Sequence, residues 1–132
     1  MNRQIIFRGK RLDNGEWVYG DLEYNRAKNI ARIHTYDNNG EYLMQHLVKP
    51  DSVGQFTGLT DKNDSPIYDG DIVEAYDLDE ELAFMGAVRY ALPDAAFGID
   101  KGTGASLEPF EGNMTYKVVG NFHDNIESLN GK

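Results

Sequence analysis

Hydrophobic and polar residues alternate with a period of two in short runs along this chain, and each run stops at a cluster of Gly, Asn, Asp or Pro. That rhythm predicts half-buried strands joined by tight turns; an amphipathic helix would place its apolar residues three to four positions apart. Ile5 and Phe7 lie two positions apart before Asp13-Asn14-Gly15, as do Trp17 and Tyr19 after it. Asn-Gly readily takes the positive φ angles of a hairpin turn, so two strands around that turn are expected. The pattern repeats as residues 30–36, then Asp37-Asn38-Asn39-Gly40, then residues 41–48. Residues 24–29 are polar and read as a loop or a wide connection, which leaves the packing and register of the two hairpins open.

The densest punctuation lies in residues 55–76, QFTGLTDKNDSPIYDGDIVEAY. Gly54 and Gly58 bracket a bend and a short buried segment ending in Leu59, and residues 61–65 read as a turn. Pro66 fixes φ, so the chain leaves that turn extended through Ile67-Tyr68, and Asp69-Gly70 re-aims it into a strand that starts at Asp71. A Gly-Asp-Ile-Val strand start suits the sharp corner of a small, strongly coiled barrel of the SH3-like kind. Further on, residues 78–82 (LDEEL) form a charged connector with room for one helical turn. Residues 84–90 resume strand character and are expected to pair with the strand at Asp71. Short extended pieces follow at 97–99 and 116–120, separated by the Gly-rich residues 101–104, expected to be a mobile loop. At the C-terminal end Asp124 and Glu127 have capping-box spacing, with Ile126 and Leu129 on one side, which predicts a terminal helical turn.

The fold expected is therefore mainly β: several strongly coiled antiparallel sheets or hairpins with an SH3-like barrel-type corner and a short C-terminal helical turn. At 132 residues the default is a single compact domain, residues 1–132, with an N-terminal hairpin region (1–49) and a glycine-rich β region (50–132). No apolar run approaches the roughly 20 residues that span a bilayer, no signal-type block follows Met1, and no cysteine is present, so a cytoplasmic protein with no membrane association is expected.

Charge is unevenly distributed. Residues 1–49 hold eight Lys/Arg and six Asp/Glu, whereas residues 50–132 hold five and sixteen, a balance of +2 followed by −11 within a net −9. An acidic surface repels phosphate backbones and anionic lipid, so nucleic acid is not an expected partner. The basic cluster Arg3, Arg8, Lys10 and Arg11 reads as a solvated strand face and hairpin tip, or as an edge that meets the acidic half of a neighbouring copy.

Candidate chemistry is sparse. Asp61, Asn63 and Ser65 have the alternate spacing of a calcium loop, but Pro66 stands where glycine is required and Ile72 where a bidentate glutamate should complete the site. Lys101-Gly102-Thr103-Gly104-Ala105-Ser106 lacks the spacing of a phosphate-binding loop. His34, His46 and His123 show no paired-ligand spacing, and no serine sits in a nucleophile elbow. No cofactor, metal site or catalytic residue is assigned, and the protein is read as a non-enzyme.

FRGKRLDNGEWVYGDL at residues 7–22, the block at 55–76 and VVGNFHDNIESL at 118–129 resemble the three signature segments of the YopX family. The resemblance implies a small phage or prophage protein of bacteria, built of several coiled β-sheets, that assembles into large homo-oligomers and has no established biochemical activity. Ile126 stands where a proline is frequent in that family, leaving the terminal turn less rigidly started. The functional expectation is a self-assembling interaction module, with Arg8, Trp17, Tyr19, Tyr68, Asp71 and Tyr76 as candidate interface or corner residues. The alternative is an acidic regulator or inhibitor that binds a basic surface of a host nucleic-acid-handling protein.

Overall fold

A computed structural model describes residues 4–104 and 106–125 of the chain, so Ile126, Glu127 and Leu129 of the expected terminal turn lie outside the described residues. The chain forms two compact units, Met1–Phe56 and Thr57–Lys132.

The first unit contains β1 (Phe7–Lys10), β2 (Trp17–Asn25), β3 (Ile30–Tyr36), β4 (Tyr42–Val48), a 3₁₀ turn at Pro50–Ser52 and the first half of β5 (Gly54–Thr60). They pair antiparallel in the order β4-β3-β2-β1-β5. Both Asn-Gly turns are present where the sequence predicts them, with Gly15 and Gly40 at φ 73° and 81°. Residues 24–29 make no wide connection: Asn25 pairs with Ile30, Asn29 takes φ 53°, and Asn25 Oδ1 accepts the Lys28 N–H at 3.1 Å. A third tight turn thereby fuses the two expected hairpins into one meander and fixes the register, Asp21 opposite His34 and Arg32 opposite Leu47.

Because strand side chains alternate between faces, one face of this sheet buries Ala31, Ile33 and Val48, with Phe7, Val18, Leu22 and Val53 packed around them. Gly20 lets β2 and β3 approach closely, since a Cβ there would overlap the His34 carbonyl oxygen and press on Ile33. The ends of β1 and β4 are clasped as well. Arg11 bridges Val48, while the Leu12 N–H donates to Leu47 O at 3.0 Å and the Lys49 N–H to Lys10 O at 2.8 Å.

The second unit contains the rest of β5, then β6 (Pro66–Tyr68), β7 (Asp71–Tyr76), β8 (Leu82–Ala91), a 3₁₀ turn at Leu92–Asp94, β9 (Ala96–Asp100), β10 (Glu108–Pro109) and β11 (Thr115–Asn121). The last five strands form an antiparallel sheet in the order β10-β9-β8-β7-β11. As the sequence predicts, β7 starts at Asp71 and pairs with β8, Val73 opposite Gly86. The expected corner precedes it: Gly70 takes φ 96°, its N–H donates to Val88 O, and buried Asp71 accepts the Tyr68 N–H on Oδ2 at 2.7 Å. Among the described residues neither sheet closes into a barrel. Ile67, Val73, Ala75, Val88, Ile99 and Tyr116 form the core. Fully burying side chains of this size stabilises a fold by roughly 1.5–3 kcal/mol each.

Three turns share one design. Asp37, Asp61 and Asp77 each donate their own N–H to the carbonyl four residues on. Each also accepts, on one carboxylate oxygen, the N–H groups two and four residues ahead. Residues 78–82 are therefore the apex and exit of a β-hairpin, with Glu80 at φ 59°, and not a helical turn. The Asp77 carboxylate holds the Asp79 and Glu81 amides in the turn, and Tyr76 pairs with Leu82. The terminal helix is present at residues 122–125, but its cap differs from the one expected. Asn121 Oδ1 accepts the Asp124 N–H at 2.7 Å and Asn121 Nδ2 donates to Asp124 Oδ2 at 2.8 Å. Asn121 is the N-cap, and Asp124 is the reciprocating residue three positions on.

Candidate functional site

The register of β2, β3 and β4 gathers polar and aromatic side chains on the face opposite the first core. Glu23 Oε1 lies 2.8 Å from His34 Nε2, and His34 Nδ1 lies 3.2 Å from the Tyr42 hydroxyl. Tyr42 in turn meets Tyr36 edge-on, ring centroids 5.6 Å apart, and Arg32 sits 3.8 Å from the other Glu23 oxygen. Tyr36 hydrogen-bonds to Asp21. Its phenol is held above the ordinary value, first by partial desolvation and then by that bond and the Asp21 charge. The result is a network across three strands in which Tyr36 and Tyr42 are 45% and 52% exposed.

A carboxylate, an imidazole and a hydroxyl in this order resemble a proton relay. Catalysis by such a chain draws its strength from a water-excluded site with donors aimed at developing charge. Here the hydroxyl lies on an exposed sheet face, and the two hydrogen bonds hold the His34 ring between Glu23 and Tyr42. Among the described residues no group of three or more His, Asp or Glu is placed to hold a metal ion. The calcium-like spacing of Asp61, Asn63 and Ser65 is accounted for by the turn: Asp61 Oδ1 accepts the N–H of Asn63 and of Ser65, and Oδ2 accepts that of Val118.

The residues singled out in the sequence fall into two groups. Arg8, Tyr68 and Asp71 are buried, at 7%, 5% and 2% exposure. The Arg8 guanidinium lies 4.8 Å above the half-buried Trp17 ring, and Tyr68 and Asp71 build the corner. Tyr19 is exposed beside Arg8 on the paired strand. Tyr76, half-buried, donates to Glu74 at 2.6 Å beneath Lys62, whose Nζ is 4.6 Å from its ring centroid. The Glu74 bond, then desolvation, then the Glu74 charge raise its phenol pKa. The structure thus brings Arg8, Trp17 and Tyr19 together on β1–β2, and places Tyr68, Asp71 and Tyr76 around β6–β7.

Glu23, His34 and Tyr42 escape a reading of sequence spacing because they lie 8 to 19 positions apart in the chain. The signal that locates them is the turn at residues 25–30: once it is read as a tight hairpin, alternation alone puts Glu23 and His34 on one face. A groove of about 430 Å³ runs along β4, its lining including Arg11, Asp13, Arg32, Met44 and His46, and within it Arg11 donates to both Asp13 carboxylate oxygens at 2.9 and 2.6 Å.

No helix among the described residues is long and apolar enough to cross a membrane. No curated protein matches the chain. The family model described as YopX protein matches residues 6–130, a span that takes in every strand described above, and the chain belongs to the YopX family.

Proposed function

We propose that this protein is a non-enzymatic interaction module that associates with copies of itself. The observation that carries the reading is the tyrosine-rich face of the first unit, where Tyr19, Tyr36 and Tyr42 are each about half exposed and two of them are locked in place by neighbours. Ordered tyrosines give large contact areas at little cost in side-chain entropy, which is why aromatic residues are enriched at protein interfaces. Trp17, stacked under Arg8 on the adjoining strand pair, extends the same reading. Sedimentation at micromolar concentration and moderate salt tests it: the expected result is a single species several times the chain mass, and a purely monomeric species rejects it.

A second reading has its own support. Residues 57–132 hold fifteen Asp/Glu against five Lys/Arg, and the Asp79-Glu80-Glu81 apex is exposed. Such a surface fits a regulator that covers the basic nucleic-acid site of another protein. Its complex would weaken steeply as salt rises, whereas self-association through aromatic contacts would persist.

A further inference from the structure

Asparagine followed by glycine is prone to spontaneous deamidation, because a glycine without a Cβ lets its backbone nitrogen reach the preceding side-chain amide. The chain contains Asn14-Gly15, Asn39-Gly40 and Asn130-Gly131, the last outside the described residues. In the first two, the glycine N–H is bonded within a hairpin turn, Gly15 to Arg11 O at 3.1 Å and Gly40 to Asp37 O at 3.0 Å. Reaction at either therefore starts from an opened turn, and what else holds the turn decides the rate. The Asn14 side chain is fixed at both ends: Oδ1 accepts the Glu16 N–H at 3.0 Å and Nδ2 donates to Glu16 Oε1 at 3.2 Å. Its turn is also tied to β4, through the Leu12 N–H on Leu47 O and the bridge between Arg11 and Val48. Among the described residues the Asn39 side chain has no hydrogen-bond partner. Residues 37–41 are all exposed, the bonds of their turn join them to one another, and the ladder behind them shifts register between Thr35 and Tyr36. Local opening is easiest where few contacts cross.

We propose that Asn39 is a site of spontaneous deamidation, and that its isoaspartate product loosens the hairpin that carries Tyr36 and Tyr42. When the turn opens, the Gly40 nitrogen gives its proton to water and bonds to Asn39 Cγ; the Cγ–Nδ2 bond breaks and ammonia leaves, closing a succinimide. Water then opens the ring at one carbonyl to give aspartate, or at the other to give isoaspartate. The net change is one water taken up and one ammonia lost, with no oxidant or reductant. Either product adds one negative charge to a chain of net −9, beside the Asp37 carboxylate that holds the residue's own N–H. Isoaspartate also lengthens the backbone by one methylene before Gly40, which draws the Gly40 and Glu41 N–H groups away from Asp37 O and Asp37 Oδ1. Tyr36 and Tyr42, edge-on across the adjoining rung, then lose the turn that sets their approach.

Peptide mass spectrometry of the full chain, incubated folded and in urea at mildly alkaline pH, tests the site. In the folded chain residue 39 is expected to convert about ten-fold faster than residue 14, which must first break its Glu16 bonds. In urea the two are expected to convert at similar rates. Glu16→Ala changes an exposed side chain and is expected to raise the rate at Asn14 while leaving that at Asn39 unchanged. Conversion at Asn14 as fast as at Asn39 in the folded chain overturns the proposal, as does an Asn39 that stays intact while the urea-unfolded chain converts. Rates that differ as much in urea as in the folded chain also overturn it, since the fold would then play no part. Asn39→Asp supplies the charge without the extra backbone carbon and is the reference for the second half of the proposal. The Tyr36 and Tyr42 ring resonances are expected to move further in the chromatographically separated isoaspartate form than in Asn39→Asp, and matching spectra overturn the loosening.

Discussion

Asp61 accepts the backbone N–H of Val118 on Oδ2 at 2.9 Å, across 57 positions of chain. The same carboxylate holds its own turn through Oδ1, and the neighbouring Lys62 N–H donates to Tyr116 O at 2.7 Å. One side chain, 7% exposed, therefore both shapes the β5–β6 turn and fastens that turn to β11.

Replacing Asp61 by Ala leaves three backbone donors without their acceptor in a largely buried setting. A loss of about 3 kcal/mol or more is expected, at 1–3 kcal/mol per stranded group with partial rescue by water. Asp37→Ala and Asp77→Ala remove the same turn geometry in solvent and are expected to cost about 1 kcal/mol or less each. Urea unfolding of the three variants checks the ranking.

Acid should reach the same carboxylate. Burial by itself raises the Asp61 pKa, but the N–H bonds from Val118, Ser65 and Asn63, with the Lys117 charge, outweigh it and leave the carboxyl below its ordinary value of 3.8. A folded-state pKa below the unfolded one means that the stabilisation is complete above the unfolded value and fades as pH falls through the folded one. Unfolding free energy is expected to drop below about pH 4, and to drop less in Asp61→Asn, which has no charge to lose. Denaturation midpoints between pH 2 and 6 make the comparison.

Gly20→Ala places a methyl group against the His34 carbonyl, which is backbone and cannot rotate away. The expected cost is about 2 kcal/mol from forced separation of β2 and β3. Because Glu23, His34 and Tyr42 depend on that register, the His34 ring resonances should shift in the same variant, as NMR would show.

At the end of β11, Asn121→Ala removes the cap of the helix at residues 122–125 and is expected to cost about 1 kcal/mol. Faster amide exchange at Asp124, whose N–H loses its acceptor, is the direct reading. Asp124→Ala keeps that acceptor and should leave the exchange rate closer to wild type.

Turn chemistry made much of the fold legible. Asn14-Gly15, Asn39-Gly40 and the Asp69-Gly70 corner announce their strands because few residue pairs adopt the angles required there. Residues 24–29 were opaque for the converse reason: Asn29 reaches a positive φ without a following glycine, helped by the Tyr24 hydroxyl on its side chain at 2.7 Å. Residues 78–82 misled through helix-favouring composition, although Asp77-x-Asp79 repeats the spacing of Asp37-x-Asn39 and Asp61-x-Asn63. The tyrosine face was the least legible part. Its members meet through register, which alternation constrains only after every intervening turn is known.

The Asp61 turn has one more consequence. By occupying Tyr116 O and the Val118 N–H, it covers the outer margin of β11, where bare backbone would otherwise template a foreign strand. Loss of Asp61 would thus do more than loosen a loop: fibrous aggregation, visible as thioflavin-positive material before global melting, becomes the characteristic way for this protein to fail.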